Sequence, residues 1–247
     1  YWQKDTLNDL QFMLTSHAHA PNLMFEEIDP TRPAGAQIFE AMKNSILKME
    51  LEPGAFISES EIGVKFGASR TPVREAFMQL REAGLVTTQP SRGNFVTRLN
   101  REKILEARYL REALEVANVG TLCKNGLKME FQQKLSINLK QQSEAIKHQN
   151  SHDFQRLDDE FHLTIALATG YERAASVLRR EKMQLDRLRV LSLNRETHLK
   201  TLLWEHQVLL TALISKDAAK ATHTTRKHLS SVLNILSNLR ETHEEYF

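Results

Sequence analysis

The sequence has few of the residues that would take it out of the soluble globular class. Cys123 is the only cysteine in 247 residues, so no internal disulfide can form and a stapled secreted scaffold is excluded. No apolar run approaches the roughly 20 residues that a membrane-spanning helix needs, so no membrane partner is expected. No basic start is followed by an apolar stretch and small residues. A signal peptide is therefore not expected, and a reducing cytoplasm is the expected compartment. Charge of one sign is also lacking: 33 Lys and Arg against 31 Asp and Glu leave a net charge of +2, too small to name a partner. The length allows one large domain or two smaller ones at roughly 150 residues per domain. The 41% hydrophobic content is enough to bury a core.

Proline and glycine are missing from most of the chain. All six prolines lie within the first 90 residues, and beyond Gly93 only Gly120, Gly126 and Gly170 remain. Proline breaks helix interiors and glycine weakens them, so a stretch this poor in both favours nearly continuous helix. The pattern predicts a mainly α protein in three parts. Residues 1–27 form an N-terminal extension with no periodic apolar array, expected to be disordered or not native, with Met24 a possible natural start. Residues 28–98 form a compact, turn-rich unit with a small β-hairpin. Residues 99–247 form an all-helical antiparallel bundle, with the boundary expected near 97–101.

Within the front unit, Ile38, Met42, Ile46 and Met49 share one face of a helix over about 36–49, which Pro53-Gly54 would stop. Ser58-Glu59-Ser60-Glu61 has capping-box spacing and predicts a short helix ending at Gly67. Thr71-Pro72 reads as an N-cap followed by proline at the first helical position. The third helix would turn Val73, Ala76, Phe77 and Leu80 inward and close at Gly84. Two helices joined by a tight glycine turn are the helix-turn-helix arrangement. Two β-prone runs, 85–88 and 94–97, flank Gln89-Pro90-Ser91-Arg92-Gly93 as a wing. In such a motif the second helix meets base edges with its N-terminal residues, here Ser69, Arg70, Thr71 and Arg74. Arginine there can pair bidentately with guanine, and Arg92 at the wing tip would lie over the backbone or minor groove. The plainer reading is that these arginines are simply solvated.

Residues 36–97 resemble the DNA-binding domain of GntR-family bacterial transcription regulators. The resemblance is carried by Leu51-Glu52-Pro53-Gly54, Ser69-Arg70-Thr71-Pro72-Val73-Arg74-Glu75-Ala76, Glu82-Ala83-Gly84-Leu85-Val86 and Arg92-Gly93-Asn94-Phe95-Val96. It implies DNA contacts by Arg70, Thr71, Arg74, Arg92 and Gly93. Many relatives carry an arginine early in the second helix where this chain has Ser60, which alters one contact but not the mode of binding.

The back region predicts six helices, at about 101–124, 128–148, 152–168, 171–190, 196–215 and 217–243. Helical register sorts its histidines. Asp158 and His162 are four apart on a face shared with Phe154, Leu157, Phe161 and Ile165. His206 lies among Leu202, Leu203, Leu209 and Leu210, and His228 precedes Val232 and Ile235 on the same side. His152 and His223 fall on charged faces. One carboxylate and three imidazoles directed at one core are costly without partners. They suit a divalent transition metal such as Zn, Ni or Mn. Separate hydrogen bonds for each histidine in the core are the alternative.

Residues 101–240 resemble the FCD effector domain of the FadR subgroup of GntR regulators. The matching pieces are Arg111-Glu112-Ala113-Leu114-Glu115, Leu157-Asp158-Asp159-Glu160-Phe161-His162, Glu205-His206 and His228-Leu229. The resemblance implies that Asp158, His162, His206 and His228 hold a metal and that Arg111 reaches an effector cavity. Those metal-type histidines argue against the fatty-acyl-binding branch. Leu185-Asp186-Arg187-Leu188-Arg189 resembles the RspR-like branch, related to regulators of sugar-acid catabolism. The implied protein is a homodimer on a roughly palindromic double-stranded DNA operator. Its affinity would respond to a small organic acid effector, a sugar acid for example, bound at the metal. Two other readings remain open. A metal-dependent hydrolase fused to the DNA-binding module is one, although no nucleophile motif or second acid/base accompanies the site. A purely structural metal is the other.

Overall fold

The computed structural model describes residues 27–192 and 196–247. The extension expected over residues 1–27 lies outside the described residues apart from Glu27. The chain forms two compact units, one comprising the residues up to Leu99 together with His243–Phe247, the other Asn100–Thr242.

In the first unit, helix α1 (Ala34–Leu47) precedes strand β1 (Phe56–Ile57), α2 (Glu59–Phe66), α3 (Arg70–Glu82), β2 (Val86–Gln89) and β3 (Gly93–Val96). Ser58 caps α2 by accepting the Glu61 amide at 3.3 Å, and the helix ends at Gly67, whose φ of 60° favours glycine. Helix α3 begins earlier than the Thr71-Pro72 signal suggests: Ser69 is the N-cap and Arg70 the first helical residue. Pro72 therefore sits third rather than first. It still costs nothing, because the first four helical amides have no intrahelical acceptor to lose. Ile38, Met42, Ile62, Val73, Phe77 and Leu80 meet in one core, closed by Val86 and Val96 from the sheet.

The hairpin is part of a three-stranded antiparallel sheet in the order β1-β3-β2, with Phe56 opposite Phe95 and Val86 opposite Val96. Strand β1 was not expected. Two residues carry no alternation, and only pairing with β3 and the edge-to-face contact of the Phe56 and Phe95 rings, 5.6 Å apart, define it.

The second unit holds α4 (Arg101–Asn125), α5 (Met129–Lys147), α6 (Ser151–Ala168), α7 (Glu172–Ser192), α8 (Glu196–Ile214) and α9 (Ala218–Thr242). Asn100 caps α4 through the Lys103 amide, and Asn150 caps α6 through the Asp153 amide. Helix α4 packs on α7 and α9, and α5 packs on α6 and α8. Val119, Leu135, Phe161, Ile165, Leu209 and Leu213 fill the core at one end of the bundle. The bundle stops short of the 99–247 span expected from composition. Residues His243–Phe247 leave α9 and fold with the first unit, where the Tyr246 carbonyl accepts the Leu99 amide at 2.7 Å. None of the described helices is long and apolar enough to cross a membrane.

Candidate metal centre and nucleic-acid interface

Asp158 and His162 are one turn apart on α6, His206 comes from α8 and His228 from α9. One ligand-type atom from each lies within 4.8 Å of all the others, and all four residues are buried. Their inward placement follows from the apolar residues that share their helix faces, such as Phe154, Phe161 and Ile165 on α6. The three imidazoles lie close together, with ring centroids 4.7 to 5.2 Å apart, and Phe161 stacks on His206 at 4.5 Å.

Each ring turns its Nδ1 away from the centre and toward a buried oxygen. His162 Nδ1 lies 2.6 Å from Glu115 Oε2, His206 Nδ1 2.9 Å from Gln142 Oε1, and His228 Nδ1 3.0 Å from Glu205 Oε2. The three Nε2 atoms are thereby left facing inward. A carboxylate can only accept, so Glu205 selects the Nδ1–H tautomer of a neutral His228, and Glu115, whose 2.6 Å contact is not aligned as a hydrogen bond, favours the same tautomer of a neutral His162 by its charge. His162 Nε2 and His228 Nε2 then face each other 3.1 Å apart as two lone pairs, an arrangement that calls for a cation or proton beside them. Asp158 Oδ1 and His206 Nε2 approach to 3.4 Å, and both are buried without a hydrogen bond. Buried polar atoms without partners are uncommon, and a bound ion is one way in which such atoms are satisfied. On this structure the donor set fits a divalent transition metal. Outer carboxylates and amides of the kind seen here are what orient metal-binding histidines.

Buried ion pairs surround the centre. Asp158 Oδ2 also receives Arg189 Nη2 from α7, and the same guanidinium reaches Asp159. Burial opposes ionisation of Asp158, but Arg189 and the nearby imidazoles outweigh it and hold the carboxyl far below the usual range. Burial likewise opposes ionisation of Glu115, and Arg111 and His162 outweigh it, again with a strong downward shift. For His206 and His228 burial dominates in the other sense, depressing both pKa values and favouring neutral rings.

Arg111, the expected effector contact, is buried on α4 and donates Nε–H to Glu115 Oε1 at 2.6 Å. It also lines a small cavity beside the centre with Arg189, His198, Asp158, His228 and the apolar side chains of Leu202 and Val232. The cavity has about 30 Å³ of room for solvent. His152 and His223 are exposed and outside the cluster, as their charged faces suggest. Sequence reasoning did not identify Glu115, Gln142, Glu205, Arg189 and His198 as site residues. Glu115 and Glu205 were visible only as neighbours in matched motifs, and nothing local marked Gln142.

In the first unit, Ser69, Arg70, Thr71, Arg74 and Arg92 are all exposed. Arg70 and Arg74 border one surface groove with Ser58, Ser60, Gly93 and Asn94, which joins the start of α3 to the base of the wing. Arg74 Nε lies 3.9 Å from Glu59 Oε2, and Glu59 Oε1 accepts from Asn94 Nδ2 at 3.2 Å. Gly93 has a structural reason of its own: its φ is +99°, and a Cβ there would come within 2.7 Å of the Phe56 ring.

Residues 34–96 match the gntR family of bacterial regulatory proteins, and residues 105–231 match the FCD domain. The chain is 29% identical over 221 residues to the HTH-type transcriptional repressor RspR of Escherichia coli (strain K12), covering 90% of this chain and 96% of that protein. It is 30% identical over 210 residues to an HTH-type transcriptional regulator in an unstable DNA locus of Streptomyces ambofaciens, covering 85% and 88%. Among solved structures, E. coli McbR/YncC superposes with a TM-score of 0.71 over 83% of this chain and 97% of that one, at 19% identity, a likeness of fold. With both halves matched, the chain belongs to the GntR family of bacterial transcription regulators, in the group that carries an FCD domain.

Proposed function

We propose that this regulator binds a roughly palindromic DNA operator as a homodimer and that a small organic acid, bound at a divalent-metal centre in its helical unit, modulates operator affinity. One observation carries the proposal. Asp158, His162, His206 and His228 converge, with two of the inward atoms lacking hydrogen-bond partners, in a chain that also holds a DNA-reading unit. Asp158 Oδ1 and the three Nε2 atoms would hold the ion, with Zn or Ni the better matches to three imidazoles and Mn a third. When bound, such an ion supplies a Lewis acid with coordination positions open to an effector carboxylate. Arg111 and Arg189 border the adjacent cavity and present guanidinium groups suited to a carboxylate. Glu115, Gln142 and Glu205 hold the three rings in place.

Helices α4 and α9, which carry Arg111 and His228, are also the helices whose ends join the first unit, at Leu99–Asn100 and Thr242–His243. A shift of either helix on effector binding is therefore passed along the chain itself. Operator affinity changes to the extent that the acid binds one state better than the other. At the DNA, Arg70, Thr71 and Arg74 would read base edges or phosphates, Ser69 and Gly93 would bring the backbone close, and Arg92 would lie along the wing. The named function of RspR, transcriptional repression, makes repression the expected outcome of operator binding.

A purely structural metal has one observation behind it, the small size of the cavity. Titrating metal-loaded protein with short organic acids and sugar acids, while following operator binding by fluorescence anisotropy, tests the proposal. A saturable change in operator affinity that disappears on chelation is expected. Saturable metal binding with no response to any acid would leave the structural role.

A further inference from the structure

His162 and His228 have carboxylates behind them, but His206 has an amide. The difference matters, because an amide can present either its oxygen or its NH2 group. Gln142 alone therefore cannot decide which nitrogen of His206 carries the proton. The decision is made further back, along a chain of buried hydrogen bonds. The Leu157 carbonyl on α6 can only accept, and it takes Asn138 Nδ2 at 2.9 Å. This turns Asn138 Oδ1 toward Gln142, whose Nε2 donates to it at 2.8 Å. Gln142 is thereby left with Oε1 toward His206 Nδ1 at 2.9 Å. Asn138 and Gln142 are one turn apart on α5, both are buried, and Gln142 is 0% exposed.

We infer that Asn138 and Gln142 are positioning residues: together they transmit the polarity of the Leu157 carbonyl to His206, fix its Nδ1–H tautomer and present the Nε2 lone pair to the metal centre. The inference rests on the metal reading given above. It concerns this chain's own groups, however, and can be measured without an ion. On the inward side Asp158 Oδ1, which can only accept, lies 3.4 Å from His206 Nε2 without a hydrogen bond and favours a proton on Nε2, so the tautomer set from behind has to hold against it. If Asn138 were apolar, Gln142 would lose the acceptor that orients it. Its amide could then turn and offer NH2 to Nδ1, the proton would move to Nε2, and the lone pair aimed at the centre would be lost. A carboxylate at position 142 needs no such orientation, because both of its oxygens accept.

The test compares full-length wild type, Asn138→Leu and the double variant Asn138→Leu/Gln142→Glu. The His206 tautomer is read from ring 15N shifts in metal-free protein, and zinc affinity from competition with a chromophoric chelator. Wild type is expected to show Nδ1–H. Asn138→Leu should shift His206 toward Nε2–H and weaken zinc binding roughly tenfold or more, within the range found for groups that orient metal-binding histidines. The double variant should recover both the tautomer and the affinity, which simple loss of packing at position 138 would not allow. An Nε2–H tautomer in wild type overturns the inference. So does an Asn138→Leu protein with unchanged tautomer and zinc affinity. If Asn138→Leu does not fold, the wild-type spectrum alone decides. Failure of wild type to bind zinc would defeat the metal reading instead, and the tautomer would still decide the relay.

Discussion

Replacing Arg189 by methionine would test how far the buried charges at the centre depend on one another. Arg189 is 7% exposed and Asp158 1%, so water screens neither. The guanidinium contacts Asp158 and Asp159 directly and lies 3.8 Å from Asp186 Oδ1. Methionine retains much of the stem's packing and removes the charge. Asp159 and Asp186 keep Lys182, at 2.9 and 2.6 Å, but Asp158 is left with only the imidazoles. Breaking a buried pair by removing one partner costs about 3–5 kcal/mol, because the other charge stays buried and uncompensated. At roughly 2–4 °C per kcal/mol for a unit of this size, the melting temperature should fall on the order of 10 °C in chelator. A divalent ion beside Asp158 would supply the missing positive charge, so the gap to wild type should narrow in zinc. Circular dichroism melts of both proteins, with chelator and with zinc, measure all four quantities. A fall within about 2 °C, the size expected of a neutral surface change, would refute the reasoning. A larger fall that zinc leaves untouched would show that Arg189 and the ion do not share Asp158.

Chelation should lower the melting temperature of wild type and zinc or nickel should restore it, since an ion bound only by the folded state stabilises it by mass action. His206→Ala and His228→Ala should abolish that response, while His152→Ala and His223→Ala should preserve it. Elemental analysis should find about one transition metal per chain, and much less in the first pair of variants. Arg70→Ala and Arg74→Ala should each weaken specific operator binding by roughly 1–3 kcal/mol where the contact is bidentate, with Arg92→Ala acting more evenly across sequences and reducing the salt slope. Full operator affinity in both α3 variants would show that this helix does not read bases. Acid should destabilise the metal-free protein in two stages. Burial holds His206 and His228 below their ordinary value of 6.5, so the unfolded chain binds more protons there and stability falls as pH drops below about 6.5. Glu115 and Asp158 are depressed below 4.5 and 3.8, so their contribution, complete above those values, is lost as pH falls further. A metal-free stability that is flat between pH 7 and 5 would contradict the first stage.

Local chemistry made much of this architecture legible. Ser58 and Gly67 bracket α2 because a hydroxyl caps amides and glycine accepts a left-handed φ, and both effects act within a few residues. Helices α4 to α9 follow from apolar periodicity without proline. The inward register of Asp158, His162, His206 and His228 is a property of each helix alone, so all four could be named before their mutual distances were known. Strand β1 and the return of His243–Phe247 to the first unit could not be read in this way. Neither segment has a pattern of its own, and each is defined by a partner far away in sequence.

The sequence by itself therefore determined the helices, the family and the four inward donors, because each depends on residues a turn or two apart or on a contiguous motif. Only the tertiary structure decided what stands behind those donors. Glu115, Gln142 and Glu205 reach their histidines from α4, α5 and α8, across 47, 64 and 23 residues. Arg189 reaches Asp158 across 31 residues. A glutamine in a helix has the same local signature whether it faces water or a buried imidazole. The assembled bundle makes the difference, by excluding water and leaving Gln142 with Asn138 and His206 as its hydrogen-bonding partners.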